Sequence, residues 1–248
     1  MNKLLSFPGR LLVKFITQET SAYTTFSVHD TATLNRIMEP GDVLLVEGNL
    51  WLSGAIKYLT QSTWSHSAMY VGNIIDPESD QSDPKVLIEA DIKLGVVGVS
   101  LSKYQHLNIR ICRPIGLTAD DKHKVINYMM KHLGNSYDLK NIVDLARYLL
   151  PTPPVPRRFR QRLIALGSGD PTRAICSSLI AQAFQSVKYP ILPVKNGEPS
   201  VSDVYQIRHH TLFTPRDFDS SPYFDIIKPT LKLGFDYQSF SWMEPPEQ

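Results

Sequence analysis

Thr172-Arg-Ala-Ile-Cys176-Ser-Ser-Leu-Ile-Ala-Gln-Ala-Phe184 reads as a helix with a cysteine near its start. Ile175, Leu179, Ile180, Ala183 and Phe184 recur at the three-and-four spacing of an amphipathic helix, so one face packs on a core and fixes where the N-terminal turn points. Cys176 then sits where helix amides favour negative charge. A helix N-terminus with a nearby imidazolium brings a thiol from ~8.5 into the range ~3.5–7.5, where the reactive thiolate forms near neutral pH. Asp170-Pro171 offers an earlier cap and first position, which would put Cys176 a turn later with less help from the dipole. The competing reading is a buried cysteine that acts as a small apolar residue. This stretch alone leaves both open.

Around this helix the chain has 248 residues, enough for a sizeable core in one large domain with extensions. Hydrophobic residues at 42% and charged residues at 20% set disorder and fibrous repeats aside. A net charge of +2 gives no reason to invoke nucleic acid. Cys112 and Cys176 are the only cysteines, which is no disulfide framework and fits either a reducing compartment or a protein that uses thiols chemically; a cytoplasmic protein is expected. Met1–Ile16 starts basic, but Pro8, Gly9, Arg10 and Lys14 interrupt any signal-peptide core. No apolar run approaches the ~20 residues that span a bilayer. The segment suits either peripheral membrane contact or docking on its own domain.

Met38-Glu-Pro-Gly-Asp42 marks a turn before Val43-Leu-Leu-Val46, a short apolar run that fits a buried strand. Leu52, Ala55, Ile56 and Leu59 follow at helical spacing. Trp64-Ser-His-Ser-Ala-Met-Tyr-Val-Gly72 reads as a strand in which His66, Ala68 and Tyr70 share a face. Polar Asp76–Pro84 suits a hairpin loop before Val86–Asp91, whose Leu87, Glu89 and Asp91 share one face, and Asn108–Arg113 is a further strand. A helix follows, capped by Thr118 with Asp121, striped by Val125, Ile126, Met129, Met130 and Leu133, and stopped at Gly134. Ser136-Tyr-Asp138 opens another helical pattern that Pro151 ends. Pro151–Arg162 carries Arg157, Arg158, Arg160 and Arg162, either as a solvated connector or as a cationic rim. Thr214-Pro-Arg-Asp-Phe218 is a turn into a short C-terminal piece.

A reactive cysteine needs a base that takes the thiol proton and returns it to the leaving group, and the base needs an acceptor to fix its tautomer. His66 is the histidine centred in a clear strand, and Glu89 lies 23 residues on, a separation that suits hairpin-joined strands. Glu89 stands between Ile88 and Ala90, where a carboxylate is costly unless paired; His66 is one partner, and Lys85 or Lys93 the other reading. His123, His132, His209 and His210 read as exposed. Neither cysteine has a partner at zinc spacing, HExxH is absent, and so are phosphate-binding glycine loops. No metal and no cofactor are expected.

Gly41-Asp-Val-Leu-Leu45, Trp64-Ser-His-Ser-Ala-Met-Tyr-Val-Gly72, Ile88-Glu-Ala90, Gly134-Asn-Ser-Tyr-Asp138, Cys176-Ser-Ser-Leu-Ile180 and Thr214-Pro-Arg-Asp217, in that order, resemble the YiiX/YebB-like family. That family lies in the circularly permuted branch of the NlpC-type papain-like cysteine hydrolases, related to the lecithin:retinol acyltransferase group. The resemblance spans Gly41 to Phe218 and implies an α+β permuted papain-like fold, an antiparallel sheet packed against helices. It implies Cys176 as nucleophile, His66 as base, Glu89 as the residue that orients it, and Tyr137 lining the site. Trp64, Ser65 and Ser177, beside the histidine and the cysteine, complete the expected substrate contacts. Ser178 departs from the pattern, since members often carry an acidic residue there.

The implied activity is hydrolysis of an amide or ester acyl bond through a covalent acyl-enzyme. Lipid-like acyl groups and peptide or peptidoglycan-stem amides are the two substrate options. An acyltransferase, or a non-catalytic lipid- or peptide-binding module on the same fold, is the alternative. The expected organisation is an N-terminal extension over 1–37, the hydrolase domain over 38–220 and a C-terminal extension over 221–248.

Overall fold

The computed structural model describes residues 30–78, 82–91, 94–136, 175–192 and 208–234, together with Thr25, 194–195, 205–206, Asp236 and Gln238. In chain order these form α1 (Thr31–Ile37), β1 (Val43–Glu47), α2 (Trp51–Thr60), β2 (His66–Tyr70), β3 (Lys85–Asp91) and β4 (Gly95–Ser100). A 3₁₀ turn (Leu101–Tyr104), β5 (Asn108–Pro114), α3 (Ala119–Lys131) and α4 (Ile175–Ser186) come next. A short ribbon of β6 (Val194–Lys195) and β7 (Tyr205–Gln206), then α5 (Pro215–Asp219), β8 (Phe224–Ile227) and α6 (Pro229–Leu233), complete them. The N-terminal segment 1–16, Lys93, Tyr137 and the helical pattern after it, the arginines of 157–162 and the Asp170-Pro171 cap lie outside the described residues.

The fold is α+β. Six strands pair antiparallel in the order β4-β3-β2-β1-β5-β8. Helices cover both faces of this sheet, which explains why β1 reads as a continuous apolar run rather than an alternation. Val43 and Leu45 pack with α3 and α4, while Leu44 and Val46 pack with Leu34 of α1 and with Leu101 and Tyr104 of the 3₁₀ turn. The stripe read from the sequence of α4 is buried as expected: Leu179, Ile180, Ala183 and Phe184 all face the sheet and α3. Phe184 meets Phe224 of β8 edge to face, with centroids 5.2 Å apart. Thr118 caps α3 by accepting from the Asp121 amide at 3.2 Å, and Val125, Ile126 and Met129 are its buried face.

The sheet extends past residue 220. β8 pairs with β5 from Ile111↔Ile227 to Pro114↔Phe224, and α1, ahead of residue 38, packs Leu34 into the core. Both pieces are short and lack a periodic signal of their own. β4, Gly95-Val-Val-Gly-Val-Ser100, is likewise absent from the sequence reading, since two glycines break its pattern. Gly95 has φ +78, and a Cβ there would lie 2.2 Å from the Asn135 carbonyl oxygen. The close approach carries the Val96–Asn135 and Gly134–Val96 backbone bonds that tie the end of α3 to the sheet.

Asp42, at the start of β1, explains its own position. It is 1% exposed and takes a two-pronged contact from Arg113 of β5, Nε to Oδ1 at 2.9 Å and an Nη to Oδ2 at 2.8 Å. The same guanidinium also holds the Ile37 carbonyl at 2.7 Å, so the end of α1 is fastened to the sheet. Arg113→Ala leaves a buried carboxylate uncompensated and is expected to cost about 3–5 kcal/mol of stability in urea denaturation. A loss below about 1 kcal/mol would mean that the pair acts like an exposed one.

Candidate active site

β2 and β3 run side by side with Ala68 opposite Glu89. His66 is two residues before Ala68, so it faces Glu89 diagonally on the same side of the sheet, within reach of a long side chain. His66 Nε2 lies 3.0 Å from Glu89 Oε2. Nε2 is thereby engaged, and the same side chain also hydrogen-bonds the Cys176 thiol. Cys176 is the second described residue of α4 and is 6% exposed.

Ser67, the next residue of β2, points to the opposite face from His66, yet its hydroxyl and its amide also hydrogen-bond the Cys176 sulfur. The Ser67 hydroxyl is 3.2 Å from that of Ser177, and Ser177 Oγ is 3.9 Å from Cys176 Sγ. Both serines are fully buried.

The electrostatics follow from this placement. Burial by itself would raise the Cys176 thiol, but the charge and hydrogen bond of His66 and the two donors of Ser67 bring it down to about 7. Burial would lower His66, but the facing thiolate and the Glu89 carboxylate outweigh it and raise it to about 10. Between these values the stable form is a thiolate–imidazolium pair. Burial would raise Glu89, and its hydrogen bond and attraction to His66, with Lys103, hold it below the ordinary carboxylate value. Cys112, fully buried in β5, is pushed far up by burial and by Asp219.

Residues 37–148 match the model of a family described as permuted papain-like amidase enzymes, YaeF/YiiX, C92. Over that stretch the chain is similar to the permuted papain-like amidases. The matched residues include His66 and Glu89 and stop short of Cys176, which the fold brings to them. Hydrolysis is the activity class of the family. A solved structure described as metalloprotein YiiX from Escherichia coli O157:H7 aligns over 77% of this chain and 96% of its own, with 15% identity and a TM-score of 0.46. No protein with a curated description matches the sequence.

Two expected contacts are committed within the domain. The Trp64 indole N–H donates to Asp219 Oδ2 at 3.1 Å, under the Arg110 guanidinium 5.0 Å from its ring centroid. Ser65 Oγ accepts from the Gly48 amide at 2.9 Å. His132, read as exposed, is half-buried, stacked on Tyr128 with its Nδ1 2.7 Å from the Tyr128 carbonyl oxygen. Among the described residues the lysine on Glu89 is not Lys85, which is exposed at the far end of β3, but Lys103, which contacts Oε1, while the Tyr104 hydroxyl contacts Oε2. Among the described residues, no three His, Cys, Asp or Glu side chains converge as a metal site requires. Among the same residues, no helix is long and apolar enough to cross a membrane.

Proposed function

We propose that this chain is a permuted papain-like cysteine hydrolase in which Cys176 is the nucleophile, His66 the acid and base, and Glu89 the group that orients His66. The observation that carries this reading is the placement of one imidazole between a buried carboxylate and a buried thiol. The Cys176 sulfur attacks an acyl carbon while the carbonyl pair moves to oxygen, and amides at the start of α4 receive the developing oxyanion. As the carbon–nitrogen or carbon–oxygen bond breaks, His66 gives its proton to the departing amine or alkoxide. Water then attacks the thioester, His66 takes a proton from it, and the acid leaves with the thiolate restored. Substrates are acyl amides or esters. The basic N-terminal segment and the arginines of 157–162 favour amphiphilic, lipid-like acyl groups over peptide amides, with peripheral membrane contact.

Iodoacetamide alkylation read by peptide mass spectrometry tests the site without a substrate. Cys176 is expected to react with a midpoint near the value of about 7, while Cys112 stays unmodified in the folded protein. Equal rates at the two thiols, or none at Cys176, would sink the reading. Fatty-acid release from phospholipid vesicles, set beside cleavage of peptide amides, separates the substrate classes. Peptide cleavage with intact vesicles reverses the preference stated above.

A further inference from the structure

Glu89 is 1% exposed and accepts from three side chains: His66, Lys103 and Tyr104. Two of these come from one turn of 3₁₀ helix. In that geometry residues three apart eclipse, so Leu101 and Tyr104 both enter the core and carry Lys103 with them. The turn is fastened from outside, since Ser102 bonds Ser100 at 2.8 Å and Asp83 at 2.6 Å. Lys103 also lies 5.3 Å from the Tyr104 ring centroid, whose ring is 6.1 Å from that of His66.

A lysine needs no buried partner when its own side chain is 41% exposed, whereas a carboxylate at 1% does. The contact therefore serves Glu89. We propose that Lys103 and Tyr104 are positioning residues for the hydrolytic site: Lys103 holds Glu89 ionised, and Tyr104 fixes the oxygen that faces His66 Nε2. The inference rests on the His66–Cys176 pair acting as described above.

A fixed positive charge lowers the proton affinity of every group near it, so its removal raises them all. Lys103→Met is expected to move the midpoint of Cys176 alkylation upward by about half a pH unit to one unit at low salt, the size of one charge felt across ~10 Å of protein. Lys103→Arg, which keeps the charge, restores the wild-type midpoint. Tyr104→Phe keeps the ring and loses one donor. It is expected to leave the midpoint within about 0.3 unit but to slow alkylation several-fold across the range, because the carboxylate, and with it His66, is less well aimed. Proton NMR of His66 follows the imidazole directly and should show its midpoint rising in Lys103→Met.

His66→Ala separates the two levels of the argument. If it leaves the wild-type profile unchanged, the pair itself fails. If it moves the profile while Lys103→Met does not, the pair stands and the role of Lys103 is refuted. Should Lys103→Met fail to fold, Lys103→Gln and the Tyr104→Phe rate decide. Wild-type behaviour in both overturns the proposal.

Discussion

Cys176→Ala is expected to remove hydrolysis almost completely while the protein stays folded. Loss of a covalent nucleophile leaves only binding and oxyanion stabilisation, and the rate should fall by roughly 10⁴–10⁶. Stability should change little. The thiol packs at the beginning of α4 rather than in the aromatic core around Phe184, alanine is the better helix former, and the sulfur's hydrogen bonds to His66 and Ser67 belong to a pair rather than to a packed interior. Circular dichroism should show the variant folded, and urea denaturation below the wild-type thiol midpoint of about 7, where the ion pair is not formed, should place it within about 1 kcal/mol of wild type. A variant that unfolds would make the cysteine structural. One that stays folded with full turnover would remove the covalent mechanism.

The part of this site legible in the sequence was the part written in periodicity and in cost. The stripe of α4 fixed the cysteine's place because a buried face dictates which way the first turn points. Glu89 was legible because a carboxylate between Ile88 and Ala90 is expensive unless something pays its desolvation, and the 23-residue spacing suited hairpin-joined strands that bring His66 within reach. Lys103 and Tyr104 were not legible, since they reach Glu89 through a 3₁₀ turn whose four residues carry no period. Ser67 was hidden by the alternation that placed His66: by strand logic it faces away from His66, yet both hydrogen-bond the Cys176 sulfur. Trp64 shows the converse. Its neighbours in sequence suggested a substrate contact, but its indole donates to Asp219, 155 residues on, a contact that local pattern does not encode.

His66→Ala should shift the reactivity of Cys176 as well as reduce turnover. In the wild type, burial opposes the thiolate and His66 overcomes it. With the imidazole gone, burial is the largest influence left, and the alkylation midpoint should climb from about 7 to the ordinary thiol value of 9.0 or above. The signs define a window. The His66 pKa is raised to about 10, so its contribution to folding is complete below its ordinary 6.5 and is lost as pH rises through 10. The Cys176 pKa is lowered to about 7, so its contribution is complete above its ordinary 9.0 and is lost as pH falls through 7. The ion pair is therefore populated between about 7 and 10, with both midpoints belonging to the coupled pair. Turnover should follow a bell: the acid limb reports thiolate formation, and the alkaline limb reports loss of the proton that the leaving group needs. In His66→Ala the alkaline limb should vanish, the acid limb should move up, and kcat/KM near neutral pH should drop by roughly 10³ or more. A wild-type profile that rises steadily through pH 10 would show that His66 does not act as the acid, because no proton would then be lost from the reacting site in that range.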